Sequence, residues 1–192
     1  MLTHLRRSAI SIVVFTVFFG FVYALAGTGV AQLFFPHQAN GSITAHGSTL
    51  IGQPWNNGKS INPMWFNGRP DADNPLVLNG TSGSSGSSNL GPRSKVLVSD
   101  VQAMIAEWQK VGVNPTPDLV TTSGSGLDPD ISPLDAQVQI PMVAKARHLS
   151  QAELRTLVSE HTNSAQLGFL GSSYINVLEL NVALAALAAS HH

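Results

Sequence analysis

Apolar residues are distributed along the chain in two unlike ways. From Ser8 to Phe35 the sequence SAISIVVFTVFFGFVYALAGTGVAQLFF runs for 28 residues without a charge, longer than the ~20 needed to cross a bilayer core. Twelve residues between Ser8 and Val30 are Val, Ile, Leu or Phe. At roughly −0.3 to −0.6 kcal/mol each they favour insertion by about 4 to 7 kcal/mol. Beyond this stretch apolar residues recur at helical or strand-like intervals between turn residues, as in a water-facing domain. The pattern predicts a single N-terminal transmembrane helix followed by one mixed α/β (α+β) extracytoplasmic domain. Its boundaries are 1–7 for a cytoplasmic N-terminus, 8–35 for the transmembrane helix with an outer overhang, and 36–192 for the domain.

Orientation follows from charge. Arg6 and Arg7 precede the apolar run, and no Lys, Arg, Asp or Glu follows until Lys59. The positive-inside tendency keeps the N-terminus in the cytoplasm and exports residues 36–192. A cleaved signal peptide has a similar grammar, with Ala24-Leu25-Ala26 before Gly27. Apolar character continues through Val30, Leu33, Phe34 and Phe35, which favours a retained anchor. The overhang from Gly27 to Phe35 ends at Pro36 and brings Phe34 and Phe35 to the outer interface or against another membrane chain. Gly20, Gly27 and Gly29 permit close helix contact.

In the domain, residues 37–92 are rich in Gly and Pro and predict loop with short extended pieces at Thr49–Gly52 and Met64–Phe66. Residues 79–92 form a Gly/Ser tract, read as a flexible connection. Leu97, Val101, Met104, Ile105 and Trp108 recur at helical spacing, with Gly112 as a stop. Leu119–Thr122 predicts a buried strand. Ser132 caps a helix with Pro133 first and Asp135 three residues on. Pro141 is expected to interrupt it, leaving a second short helical piece with Lys145 and Arg147. Ser150 and Glu153 form another capping box, before Leu154, Leu157 and Val158. A strand is expected at Tyr174–Asn176 and a helix over Val177–Ala189, packing through Leu180, Leu184 and Leu187.

Composition narrows the chemistry. The chain has 192 residues, 10 Lys plus Arg, 11 Asp plus Glu and no Cys. A net charge of −1 gives no electrostatic footprint for nucleic acid, and the missing Cys excludes disulfides and thiolate chemistry. Phosphate-binding loops, the G-x-S-x-G elbow and the H-E-x-x-H helix are absent. Ser85, His148 and Asp128 are the residues from which a serine-hydrolase triad would have to be assembled. Asp71-Ala72-Asp73 and Asp128-Pro129-Asp130 read as turn carboxylates rather than calcium ligands. His37 and His46 read as surface or interface residues, and no metal is expected. Lys145, Arg147 and His148 fit the negative end of a helix dipole.

The order of segments resembles a known family, the C subunit of the bacterial high-affinity potassium-transporting P-type ATPase (Kdp complex, KdpC family). The resemblance is carried by FPHQANGS at 35–42, LIGQ at 50–53, FNGRP at 66–70 and SGSSNLGP at 85–92. It continues with TSGSGLDPDISP at 122–133, QIP at 139–141 with VAKAR at 143–147, and NVLELN at 176–181. It departs locally at Asp71, Ser87, Val138 and Met142.

The resemblance implies a non-catalytic accessory subunit in the cell membrane. Its implied partners are a channel-like potassium-translocating subunit, a P-type ATPase catalytic subunit, a very small membrane subunit and the lipid bilayer. The family is described as stabilising assembly, and as a catalytic chaperone raising ATP affinity of the hydrolysing subunit. That description implies a nucleotide role for Ser85, Gly86 and Gln139, with ATP as a ligand in passing and no cofactor bound stably. The orientation argument opposes it, because cytoplasmic ATP does not reach exported residues. A partner interface is expected at Gly20, Gly27, Gly29, Phe34 and Phe35. The alternative classes are a membrane-anchored or secreted serine hydrolase and a binding module.

Overall fold

The computed structural model describes residues 2–55, 60–70 and 85–191. Asp71-Ala72-Asp73, residues 79–84 of the Gly/Ser tract and His192 lie outside them. The chain divides into two compact units, residues 1–44 and 45–192.

The first unit is dominated by one continuous helix, Leu2–Phe34, 33 residues long with a mean hydropathy of 2.4 in its most apolar stretch. By length and composition it suffices to cross a membrane. It consists of α1 (Leu2–Phe15), a π-helical stretch (Thr16–Tyr23) and α2 (Ala24–Phe34). The π stretch holds Gly20 among Phe18, Phe19 and Phe21, and π turns in helices frequently accompany functional sites. Phe19 lies at its centre, stacked on Phe15 at 5.9 Å and edge-on to Phe18 at 5.1 Å. Phe35 leaves the helical region at φ −136°, and Pro36 opens the single turn α3 (Pro36–Ala39). Thus Pro36 stops one helix and starts another, because its fixed φ suits the first helical position. The unit ends at β1 (Ile43–Thr44).

The second unit begins with β2 (Gly47–Ser48) and is built mainly of helices: α4 (Lys95–Lys110), α5 (Pro133–Arg147), α6 (Gln151–Glu160) and α7 (Val177–Ala189). Its sheet is small: β3 (Asp130–Ile131) pairs antiparallel with β4 (Ile175–Asn176), Asp130 opposite Asn176 and Ile131 opposite Ile175. The architecture is therefore a mixed helix and small-sheet domain. One core joins Met104 and Trp108 of α4, Ile140 and Val143 of α5, Leu154 and Val158 of α6, and Leu180 and Leu184 of α7.

Local chemistry sets the helix ends. Ser132 accepts from the Asp135 N–H at 3.2 Å while Asp135 accepts from the Ser132 N–H at 2.8 Å. Ser150 and Glu153 make the same reciprocal pair, and Asn176 accepts from the Glu179 N–H at 3.2 Å to start α7. Each such cap stabilises its helix by ~1 kcal/mol. Gly112, at φ +78°, turns the chain after α4.

Three expectations are corrected. Helix α5 passes through Pro141 without a break. The carbonyl that loses its donor belongs to Gln137, and both residues are exposed on the solvent side of the helix, where a missing bond costs least. The expected strand at Leu119–Thr122 is a 3₁₀ turn, Asp118–Val120, which starts from Pro117 at φ −56°. The Trp108 indole donates to the Leu119 carbonyl at 3.1 Å, so the buried apolar pair is held by a turn rather than a ladder. Met64–Phe66 and Thr49–Gly52 are turns instead of extended pieces: Asn62 and Ser48 side-chain oxygens accept from the N–H groups of Met64 and Leu50, the local bonds typical of these residues.

Candidate functional site

Residues 61–69 form no helix or strand, so much of their buried backbone has to be satisfied by side chains. Two fully buried amides supply this. Asn181 on α7 accepts from the Phe66 N–H at 2.9 Å and donates to the Phe66 carbonyl at 2.9 Å. Gln139 on α5 accepts from the Asn67 N–H at 2.8 Å and donates to the Asn67 carbonyl at 3.0 Å, and also to the Asp135 carbonyl at 3.2 Å. Phe66, Asn67, Gln139 and Asn181 all have 0% relative exposure. Consecutive residues are thereby gripped from two different helices.

The flanks of the segment are held as firmly. Arg147 donates from Nε to the Met64 carbonyl at 2.7 Å, and its guanidinium sits 4.0 Å from the Trp65 ring centre. Burial pulls the Arg147 pKa below its ordinary value. Arg69 pairs with Asp128 at 3.3 Å and donates to the Thr121 and Thr122 carbonyls at 3.4 and 3.1 Å. Further on, the Gly52 N–H donates to the Leu127 carbonyl at 2.9 Å. Ser85 Oγ and the Gly86 N–H both donate to the Ser125 carbonyl, at 3.1 and 2.8 Å.

An acidic surface adjoins this framework. Asp118, Asp128, Asp130 and Asp135 line one recess of about 150 Å³, and Asp130 and Glu179 line a neighbouring one of about 300 Å³. Burial raises the Asp130 pKa above the ordinary carboxylate value, and the charges of Asp128 and Glu179 add to the rise against a hydrogen bond from Asn176. Among the described residues no group of three or more His, Asp or Glu is placed to hold a metal.

A family profile described as "K+-transporting ATPase, c chain" (KdpC) matches residues 5–186. The chain belongs to the KdpC family. Among curated relatives it is 45% identical to a potassium-transporting ATPase KdpC subunit of Sorangium cellulosum, over 96% of this chain and 98% of the relative. It is 44% identical to the KdpC subunit of Caulobacter vibrioides, over 97% and 94%, and 41% identical to that of Allorhizobium ampelinum, over 99% and 100%.

The KdpC motif blocks meet in the framework just described. The block at 66–70 is held by Gln139 from the QIP block, Asn181 from NVLELN, Asp128 and Thr122 from TSGSGLDPDISP and, one position before that block, Thr121. The LIGQ and SGSSNLGP blocks reach the same 122–133 loop through Gly52, Ser85 and Gly86.

The proposed nucleotide residues fall in two places. Gln139 is in the core with its amide spent on backbone partners, whereas Ser85 and Gly86 lie by the 122–133 loop. Gly20, Gly27 and Gly29 are exposed, with open space where a Cβ would stand, and Phe34 and Phe35 are exposed as well. The residues of a conceivable triad are not brought together. Asp128 precedes α5 and pairs with Arg69, while His148 follows α5 in a left-handed C-cap at φ +57°. Fifteen helical residues separate them, about 22 Å along the axis.

Sequence reasoning missed Asn67, Asn181 and the bond from Arg147 to Met64. Asn181 sits in an otherwise apolar helix, and an amide among buried leucines is the signal that was available. Arg147 does more than complement a helix dipole, because its guanidinium anchors a loop distant in sequence.

Proposed function

We propose that this chain is a non-catalytic accessory subunit of a potassium-transporting ATPase, importing potassium together with a channel-like translocating subunit, a P-type catalytic subunit and a very small membrane subunit. Residues 1–7 are cytoplasmic, 8–35 span the bilayer and 36–192 lie outside. The helix packs beside the channel-like subunit through Gly20, Gly27, Gly29, Phe34 and Phe35, and the exported domain braces the assembly over the mouth where potassium enters.

The observation that carries this reading is the destination of the motif residues: Gln139, Asn181 and Arg69 hold backbone inside the domain. A buried framework of this kind supports a rigid scaffold and supplies no exposed reactive group. Gln139 then serves the fold, and nucleotide contacts belong to the hydrolysing subunit. Ser85 and Gly86 tie the Gly/Ser tract to the 122–133 loop.

A mild-detergent pull-down from potassium-starved cells, with the full chain as bait, tests the reading. Recovery of a P-type ATPase chain and a channel-like chain is expected. Isolation of the chain alone, under conditions that keep other membrane complexes intact, would overturn it.

A further inference from the structure

We propose that the loop from Asn163 to Tyr174 is a docking tip for another subunit of the same complex, one that offers an apolar pocket with a basic side chain beside it. The proposal rests on the subunit reading above and adds the place and chemistry of one contact. At the tip Leu167 is 83% exposed, Phe169 75% and Leu170 50%. Such a cluster leaves in water apolar area that a partner's pocket would remove.

The loop is ordered by its own bonds. Asn163 and Tyr174 exchange N–H to carbonyl bonds of 2.8 and 3.0 Å at its base, and Gln166 and Leu170 exchange a pair of 2.9 Å each near the tip. Leu167 is held at φ +53°, a conformation an L-residue with a branched side chain rarely adopts. A preformed tip binds without first losing the freedom of a floppy loop.

Charge decides between a protein pocket and a lipid surface. A segment that lies on a lipid surface gains affinity from Lys and Arg facing anionic head groups. Residues 161–178 hold no Lys, Arg, Asp or Glu, no Lys or Arg lies between Arg155 and His192, and the nearest charges in sequence are Glu160 and Glu179. Tyr174 at the loop base lines both acidic recesses, and among the described residues the only Lys or Arg lining either is Arg69, already committed to Asp128. An anionic bilayer would be repelled from this base, whereas a Lys or Arg on a protein partner would be drawn to it.

The test places a photoreactive benzoylphenylalanine at position 169 of the full chain, produced together with the rest of the complex, and maps the adduct by mass spectrometry. The expected adduct is with another subunit of the complex, beside a Lys or Arg. Leu167→Asp is expected to abolish it and Glu179→Lys to cut its yield roughly tenfold, with thermal unfolding showing both variants still folded at the assay temperature. Adducts with lipid only, with a second copy of this chain, or with nothing in a complex that is otherwise recovered would overturn the proposal alone. A wild-type chain that recovers no other subunit would overturn the subunit reading and this proposal with it.

Discussion

The side-chain amide of Gln139 stands in for a neighbouring strand to Asn67, accepting its N–H at 2.8 Å and donating to its carbonyl at 3.0 Å. Replacing Gln139 by Leu leaves two buried backbone groups without partners, at a cost of about 2 to 4 kcal/mol. Urea unfolding of the full chain in detergent reads this loss directly. Nucleotide affinity of the assembled complex should be unchanged when compared at equal amounts of folded chain; a loss of affinity with stability intact would argue for a nucleotide contact at Gln139.

Asn181 and Gln139 grip adjacent residues of one segment, so removing either slackens the hold of the other. The double variant Gln139→Leu with Asn181→Leu is expected to cost less than the sum of the two single changes, by ~1 kcal/mol. Strict additivity across the cycle would show that the two clamps act independently.

Asp130 ionises less readily in the fold than in the unfolded chain. The folded state therefore binds its proton more tightly, and the associated stability is full below the ordinary carboxylate pKa and lost as pH rises through the raised value. Asp130→Asn keeps an oxygen for the Asn176 bond and removes the charge. Its melting temperature is expected to exceed that of the wild type at pH 7, with the gap narrowing toward pH 4. A gap that widens on acidification would contradict this assignment.

Pro141 interrupts no packing but deletes one helical hydrogen bond on the wet face of α5. Pro141→Ala is expected to stabilise the domain by about 1 kcal/mol, less than the ~3 kcal/mol propensity difference because the alanine chain gains freedom when unfolded. Chemical denaturation of the two chains, compared at equal slope, measures it.

Gly27 has open space around it on an exposed helix. If a partner helix approaches there, Gly27→Leu should lower recovery of the channel-like subunit by roughly tenfold while leaving membrane insertion unchanged, as read by fractionation. Equal recovery would move the contact to another face.

Helix ends were the most legible part of the chain because their chemistry is local: Ser132 with Asp135, and Ser150 with Glu153, sit within four residues of each other. The long apolar run was equally plain. The reading failed where a distant group decided the outcome. Leu119 and Val120 carry strand-forming side chains, yet Pro117 and the Trp108 indole make a turn of them. The route of 61–70 was illegible because its partners lie 72 and 115 residues away. The family motifs marked those positions without revealing that they touch, since a block pattern records order along the chain and not proximity. The π-helical stretch left no trace in hydropathy, which cannot distinguish 3.6 from 4.4 residues per turn.

The clamp on Phe66 also imposes an order of events on biosynthesis. Asn181 lies 115 residues beyond Phe66, so a nascent chain has the 61–70 segment in place long before its closing partner exists. Until α7 arrives, the Phe66 N–H and carbonyl stay hydrated and the domain cannot shut. A chain cut short by a premature stop codon before Asn181 lacks the latch and is left to proteases.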